Sequence, residues 1–192
     1  MPDQRATQQI QKEVLLQAGL KIATDSCSLI FLNKLHLLEI YAETQSLALT
    51  QALYKEITHR PDTNNTKEDK ELYIKLFSKT VLPAPGPATS CRELPSALSS
   101  ADFSLIYIYE THKLDGILTD DKSICRYCKK YAIPYINTPM ALFTLLYNGK
   151  LSRNQYTDTL GALYDMGRYG KSVREHMEKL YAGYCNFTNK AE

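Results

Sequence analysis

Two hydropathy patterns alternate along the chain. Short unbroken apolar runs end abruptly in polar residues, and longer stretches carry apolar residues at helical spacing. Lys21-Ile-Ala-Thr24 is a short run that reads as a buried strand and stops at Asp25-Ser26. Cys27 to Ile40 follows, with Leu29, Ile30, Leu32, Leu35, Leu37, Leu38 and Ile40 spaced as in one helix with a broad buried face. Leu47-Ala-Leu49 predicts a second strand, and Thr50 can cap a helix through Ala52, Leu53, Glu56 and Ile57. His59 to Asp69 is polar, contains Pro61 and predicts a loop, whereas Glu71 to Lys79 is a helical pattern. Val81 to Pro95 holds Pro83, Pro85, Pro87 and Pro95, which predicts a connecting loop. Ser99-Ser100-Ala-Asp102 opens the next helix with a cap and an early acid. Gly116-Ile-Leu-Thr119 predicts a third strand, ending in Asp120-Asp121, and a helix runs from Asp121 to Tyr131. Ile133-Pro-Tyr-Ile136 predicts a fourth strand, which Pro134 places at a sheet edge. Thr138-Pro139 starts a helix that ends near Asn148-Gly149. Ser152 to Met166 and Lys171 to Tyr181 predict two more, and Gln8 to Leu16 a helix in front of the core.

Strands alternating with helices predict an α/β fold, a parallel sheet of four or five strands between helical layers, with extra C-terminal helices. The whole chain, 1–192, reads as one domain: an N-terminal helical extension over 1–19, a core over 20–150 and C-terminal helices over 151–192. The 44% of hydrophobic and 23% of charged residues exclude global disorder. Lysines and arginines number 23 against 21 acids, a net charge of +2, so any binding of a polyanion needs a local patch or a bound metal. No apolar run approaches the ~20 residues of a membrane span. The opening Met-Pro-Asp-Gln-Arg lacks the pattern of a signal peptide, and five cysteines make no disulfide scaffold. The expectation is a reduced, cytoplasmic protein without a membrane partner.

Two predicted strands finish alike, one in Asp25 and one in Asp120-Asp121. If they are parallel neighbours, roughly 4.8 Å apart, these carboxylates converge on one rim of the sheet, where α/β proteins bind ligands. Asp102, in the first turn of the helix leading into the second of these strands, and Glu56, on the helix after the second strand, are the further acids of the pattern. Clustered carboxylates repel one another and are tolerable with bound cations or raised pKa values. Oxygen ligands without histidine or cysteine select Mg²⁺ or Mn²⁺, ions that polarise a phosphodiester and activate water for in-line attack. Against this, an Asp at a helix start is commonly a cap.

Lys21-Ile-Ala-Thr-Asp25-Ser26, followed by an apolar helix, resembles the opening of a PIN domain. Leu53-Tyr-Lys-Glu56-Ile resembles that family's acidic helix after the second strand. Ser99-Ser-Ala-Asp102 resembles its third acidic motif, and Asp115-Gly-Ile-Leu-Thr119-Asp120-Asp121-Lys its final strand-end acid. The likeness covers about residues 20–150. It implies a three-layer PIN-like fold and a ribonuclease site in which Asp25, Asp102 and Asp121 hold Mg²⁺ or Mn²⁺. Glu56 would ligate through water or stand behind the ligands. Asp121 matches the final acid best, with Asp120 as a second ligand, and Ser26 and Thr119 would hydrogen-bond metal-bound water or a carboxylate. The resemblance also implies RNA as substrate. Many members are toxins neutralised by an antitoxin, often as homodimers, while others mature or degrade RNA. The N-terminal helix and the Pro-rich connection make this chain longer than compact toxin members.

Other signals support different readings. Cys125-Arg-Tyr-Cys128 predicts two thiols on one helix face, with one or both in the core; a redox protein using this pair is an alternative. A PIN-like module that binds RNA or a protein without turnover is another. His36, His59, His112 and His176 are scattered, and no phosphate-binding glycine loop occurs. Lys55, Arg60, Arg126, Lys129 and Lys130 can supply local positive charge for RNA phosphates, and some of the 14 tyrosines can stack on bases.

Overall fold

The structure is a computed structural model that describes residues 15–59, 66–78, 80–83, 99–166 and 169–189. Among these residues five strands form one parallel sheet: β1 (Lys21–Thr24), β2 (Ser46–Thr50), β3 (Val81–Leu82), β4 (Gly116–Leu118) and β5 (Tyr135–Ile136). Their order is β3-β2-β1-β4-β5, with Ala23 paired to Ala48 on one side and to Ile117 on the other. The helices are α1 (Ser26–Lys34), α2 (Leu38–Thr44), α3 (Gln51–His59), α4 (Lys67–Phe77), α5 (Ser100–Thr111), α6 (Lys122–Lys130), α7 (Thr138–Tyr147), α8 (Arg153–Asp165) and α9 (Lys171–Thr188). Successive residues of a strand face opposite sides of a sheet, and Ile22, Ala23 and Thr24 are all buried, so helices cover both faces. The α/β fold and its parallel sheet agree with the sequence expectation.

One apolar core runs from Leu15 to Met177. Its centre is β1 and β4, where Ile22, Ala23, Ile117 and Leu118 are wholly buried. Helix α7 is buried from Thr138 through Leu146 and packs against α1, α2, α8 and α9. Phe143 of α7 meets Tyr156 of α8 and Tyr184 of α9 edge-on, with ring centroids 6.0 Å apart in each pair. The C-terminal helices therefore share the core of the sheet domain. At the start of β4, a Cβ on Gly116 would lie 2.8 Å from Leu15 Cδ2 and 3.2 Å from the Pro134 carbonyl, so a larger residue there would have to displace the Leu15 side chain and crowd β5.

Several elements depart from the sequence expectation. The predicted helix over Cys27–Ile40 is two helices, because His36 adopts a left-handed φ of 56°. The Leu37 amide donates to the Leu32 carbonyl at 2.8 Å and closes the end of α1. Apolar spacing continues across the break because α2 buries Leu38 and Tyr41 in the same core. Helix α4 starts at Lys67 rather than Glu71, since Thr66 and Asp69 form a capping box. Val81–Leu82, predicted as loop, pairs with Leu49 and Thr50 as edge strand β3, just before Pro83. Helix α9 continues to Thr188, where Arg153 of α8 donates to Thr188 Oγ1 at 2.5 Å and to Asn189 Oδ1 at 2.9 Å. The predicted helix over Gln8–Leu16, Arg60 and the rest of the Pro-rich connection lie largely or wholly outside the described residues.

Candidate active site

The chain leaves β1 towards β2 and β3 on one side and returns to β4 and β5 on the other. The direction of winding thus reverses between β1 and β4, and the crevice at their carboxyl ends is where such sheets bind ligands. Asp25 follows β1 directly, and Thr119-Asp120 follow β4. The Asp25 amide donates to the Leu118 carbonyl at 3.1 Å, extending the strand pairing by one residue. Asp25 is also the N-cap of α1, with Oδ1 accepting from the Ser28 amide at 2.7 Å. Its Oδ2 accepts from the Thr119 hydroxyl at 2.5 Å and from the Asp120 amide at 3.2 Å.

Asp120, half-buried, turns towards Asp25. Its Oδ2 accepts from the Ser28 hydroxyl at 3.1 Å and from the Thr138 hydroxyl. Its Oδ1 accepts from the Thr138 amide at 3.1 Å and from the Tyr169 hydroxyl at 2.8 Å. Ser28 therefore links the two acids, amide to one and hydroxyl to the other. Burial pushes the Tyr169 phenol well above its ordinary range, and the charge of Asp120 adds to this, so Tyr169 stays a protonated donor.

Asp25 is 5% exposed. Burial lifts its pKa from 3.8 to about 6 and the negative charge of Asp120 adds to the rise, against the lowering effect of the Thr119 and Ser28 hydrogen bonds. Among the described residues no lysine or arginine forms an ion pair with either acid. A buried and a half-buried carboxyl thus adjoin, and the hydrogen bonds they accept from described residues come from neutral amides and hydroxyls.

The other expected site residues stand differently. Asp121 is exposed, and its Oδ1 caps α6 by accepting from the Ser123 and Ile124 amides at 2.6 and 3.0 Å. Asp102 forms a capping box with Ser99, its Oδ2 accepting from the Ser99 amide at 2.9 Å. Its helix is tied to the same rim of the sheet, because the Ser104 hydroxyl donates to Thr50 Oγ1 at 2.9 Å. Glu56 is half-buried in the second turn of α3. Ser26 is buried at the first position of α1. The structure therefore brings Asp25 and Asp120 together, with Ser28 hydrogen-bonded to both and Thr119 to Asp25. Asp102, Asp121 and Glu56 do not join them in one cluster: among the described residues no three His, Cys, Asp or Glu side chains converge on a metal-sized point.

Ser28, Thr138 and Tyr169 are the site residues that sequence reasoning missed. Ser28 was findable, three residues after a capping Asp. Thr138 reads in sequence only as a helix start, and Tyr169 carries no local signal.

The pair offers oxygen donors alone: two carboxylates and the hydroxyls of Ser28, Thr119 and Thr138. Mg²⁺ and Mn²⁺ suit such a set, since Mg²⁺ commonly binds through one or two carboxylates and keeps several waters. One buried and one half-buried acid, mutually repelling, fit a divalent cation of this kind. The surroundings of Cys125 and Cys128 disfavour the thiolate that a redox pair needs. Both thiols lie on α6, burial pushes each up to about 12, and Cys125 faces the Thr119 carbonyl at 3.8 Å. Native protein at pH 8 is expected to leave both unlabelled by a disulfide reagent that labels them at once after unfolding; rapid native labelling at either would restore the redox alternative.

A parallel sheet with an acid pair at its winding reversal sets that pair where α/β proteins of this class bind ligands. A family model described as a PIN domain matches residues 21–178, from β1 into α9, and the chain belongs to the PIN-domain family. The PIN domain is a nuclease-type fold, and its members typically use divalent metals. No curated protein and no solved structure matches the chain. No helix among the described residues is long and apolar enough to cross a membrane.

Proposed function

We propose that the protein is a metal-dependent endoribonuclease that hydrolyses RNA phosphodiesters at the Asp25–Asp120 crevice. The observation that carries this reading is the pair of adjoining carboxylates at the winding reversal, one of them buried, held at a pKa near 6 and in no ion pair with a lysine or arginine among the described residues. A bound Mg²⁺ or Mn²⁺ would supply Lewis-acid polarisation of the phosphate and an activated water. Asp25 and Asp120 would hold it, while Thr119 and Ser28 keep the carboxylates oriented. Asp102 sits on the same rim and would reach the ion or its waters once RNA is bound, and Glu56 would stand behind them. In its finer form the proposal makes the chain the toxin of a toxin–antitoxin pair, a homodimer neutralised by its antitoxin. Support for that form is the family resemblance.

Helix α6 supports a polyanionic substrate. It starts beside Asp120, and its outward residues Lys122, Arg126, Lys129 and Lys130 are all exposed. Arg126 reaches back towards the site, donating to the Lys122 carbonyl and Ser123 Oγ, each at 3.3 Å. At i, i+4, i+7 and i+8 these cations share one exposed face of the helix that begins just after Asp120-Asp121, as a phosphate track would.

Purified protein is expected to cleave single-stranded RNA with Mn²⁺ or Mg²⁺ and not with EDTA; intact RNA at millimolar Mn²⁺ would end the proposal. Replacing Arg126, Lys129 and Lys130 together with alanine should weaken RNA binding by roughly 10-fold or more at low salt and flatten its salt dependence by about 0.7 per lost contact. Because these residues sit off the acid pair, KM should rise with little change in kcat. An unchanged salt slope would remove α6 from the substrate path.

A further inference from the structure

We infer that Tyr169, in the connection between α8 and α9, is a positioning residue of the acid pair, its phenol holding one oxygen of Asp120 so that the other stays aimed at Asp25. The inference rests on the reading of Asp25 and Asp120 as the holders of a divalent ion.

The two oxygens of Asp120 face different ways. Oδ2 takes the hydroxyl of Ser28, whose amide caps Asp25, so this oxygen is one residue away from the other acid. Oδ1 takes the Tyr169 hydroxyl and the Thr138 amide instead. A carboxylate on a short side chain turns about its Cβ–Cγ bond unless both oxygens are held, and among the described residues Tyr169 is the one side-chain donor on Oδ1. The hydroxyls of Ser28 and Thr138 can swing aside when a cation arrives on Oδ2, because their hydrogens rotate freely. The phenol on Oδ1 need not move.

Tyr169 is itself held from both ends. Arg174, in the first turn of α9, donates from Nε to the Tyr169 carbonyl at 3.1 Å and from Nη2 to the Tyr164 carbonyl at 3.2 Å. Its guanidinium lies 4.5 Å from the centroid of the Tyr164 ring. The Tyr164 and Tyr169 rings are 6.2 Å apart at an interplanar angle of 58°. A contact that merely filled a hydrogen-bonding vacancy would need no such clamp. Here a tyrosine–arginine–tyrosine knot fixes the backbone and the ring of Tyr169, and the hydroxyl reaches an acid 49 residues earlier in the chain. Hydrogen bonds that hold the distal side of a ligating carboxylate commonly govern metal affinity, typically by 10–100-fold when removed.

The test is a Mn²⁺ titration of the full-length protein, read by electron paramagnetic resonance of the free ion, on wild type, Tyr169→Phe and Asp25→Asn. Phenylalanine keeps the ring against Tyr164 and removes the hydroxyl alone. The expected result is a Mn²⁺ dissociation constant raised by about 10-fold or more in Tyr169→Phe, with RNA cleavage returning to near the wild-type kcat at saturating Mn²⁺. A Tyr169→Phe protein that binds Mn²⁺ as tightly as wild type, beside an Asp25→Asn protein that does not bind it, overturns the inference and leaves the acid pair standing. Cleavage lost in Tyr169→Phe and not recovered by Mn²⁺, with a lowered melting temperature, also overturns it, by showing a structural contact only. If wild type and Asp25→Asn titrate alike, the metal reading of the pair falls and the inference falls with it. Arg174→Ala should shift the Mn²⁺ constant in the same direction as Tyr169→Phe.

Discussion

Replacing Asp25 with asparagine is expected to abolish Mn²⁺-dependent cleavage and, in the metal-free protein at neutral pH, to raise the melting temperature. The loss follows from removing the negative oxygen that an ion needs, and should be on the order of 100-fold or more, since a cation's charge stabilisation is worth several kcal/mol. The gain follows from burial. Asp25 releases its proton near 3.8 when exposed and near 6 in the fold. Between those values the native state holds a proton that the unfolded chain has lost. Its stabilising effect is complete below about pH 4 and disappears as pH rises through 6. At pH 7.5 the buried charge costs the fold on the order of 3 kcal/mol, at ~1.36 kcal/mol per unit. Asparagine removes that cost and caps a helix as well as aspartate does. It turns one former acceptor into a donor, which offsets about 1 kcal/mol of the gain. A net rise of a few degrees is expected at pH 7.5, at ~2–4 °C per kcal/mol for a chain of this size, shrinking towards zero by pH 4.5. Calorimetry at the two pH values, beside an RNA cleavage assay, checks both halves. Undiminished cleavage by a folded Asp25→Asn protein removes the active-site assignment.

Neighbouring acids give the second large effect. Asp120→Asn is expected to lower cleavage by roughly 100-fold or more, whereas Asp121→Asn should leave it within about 2-fold, because asparagine is as good an N-cap. Asp120 keeps its fold-supporting bonds in this test, since the Ser28 and Thr138 hydroxyls can reverse and accept from the new amide. Both variants, assayed at equal Mn²⁺ with melting curves alongside, decide which acid serves the ion. The reverse ranking would return the role to Asp121, the residue the family pattern favours.

That ranking shows where sequence reading ends. The strands that carry the acids were legible because a buried parallel strand is an unbroken apolar run, and Lys21–Thr24 and Gly116–Thr119 are such runs closed by aspartate. Which of two adjacent aspartates turns inward depends on a single choice, namely which one caps α6, and spacing does not encode it. The break at His36 was hidden because α2 buries apolar residues in the same core as α1. β3 was hidden because two residues make no pattern. Hydroxyl residues such as Ser28 and Thr138 are too common to stand out, and Tyr169 meets Asp120 across 49 residues of chain, a distance no local pattern encodes.

The short hydrogen bonds at Asp25 have a consequence for how the protein is dissected. Its amide is tied to β4, its carboxylate to the turn after β4 and to the first turn of α1, so one residue fastens the two halves of the winding together. Truncation to alanine would open that seam and confound lost chemistry with a loosened scaffold. Only a replacement of equal shape, differing by a charge, can tell the two apart.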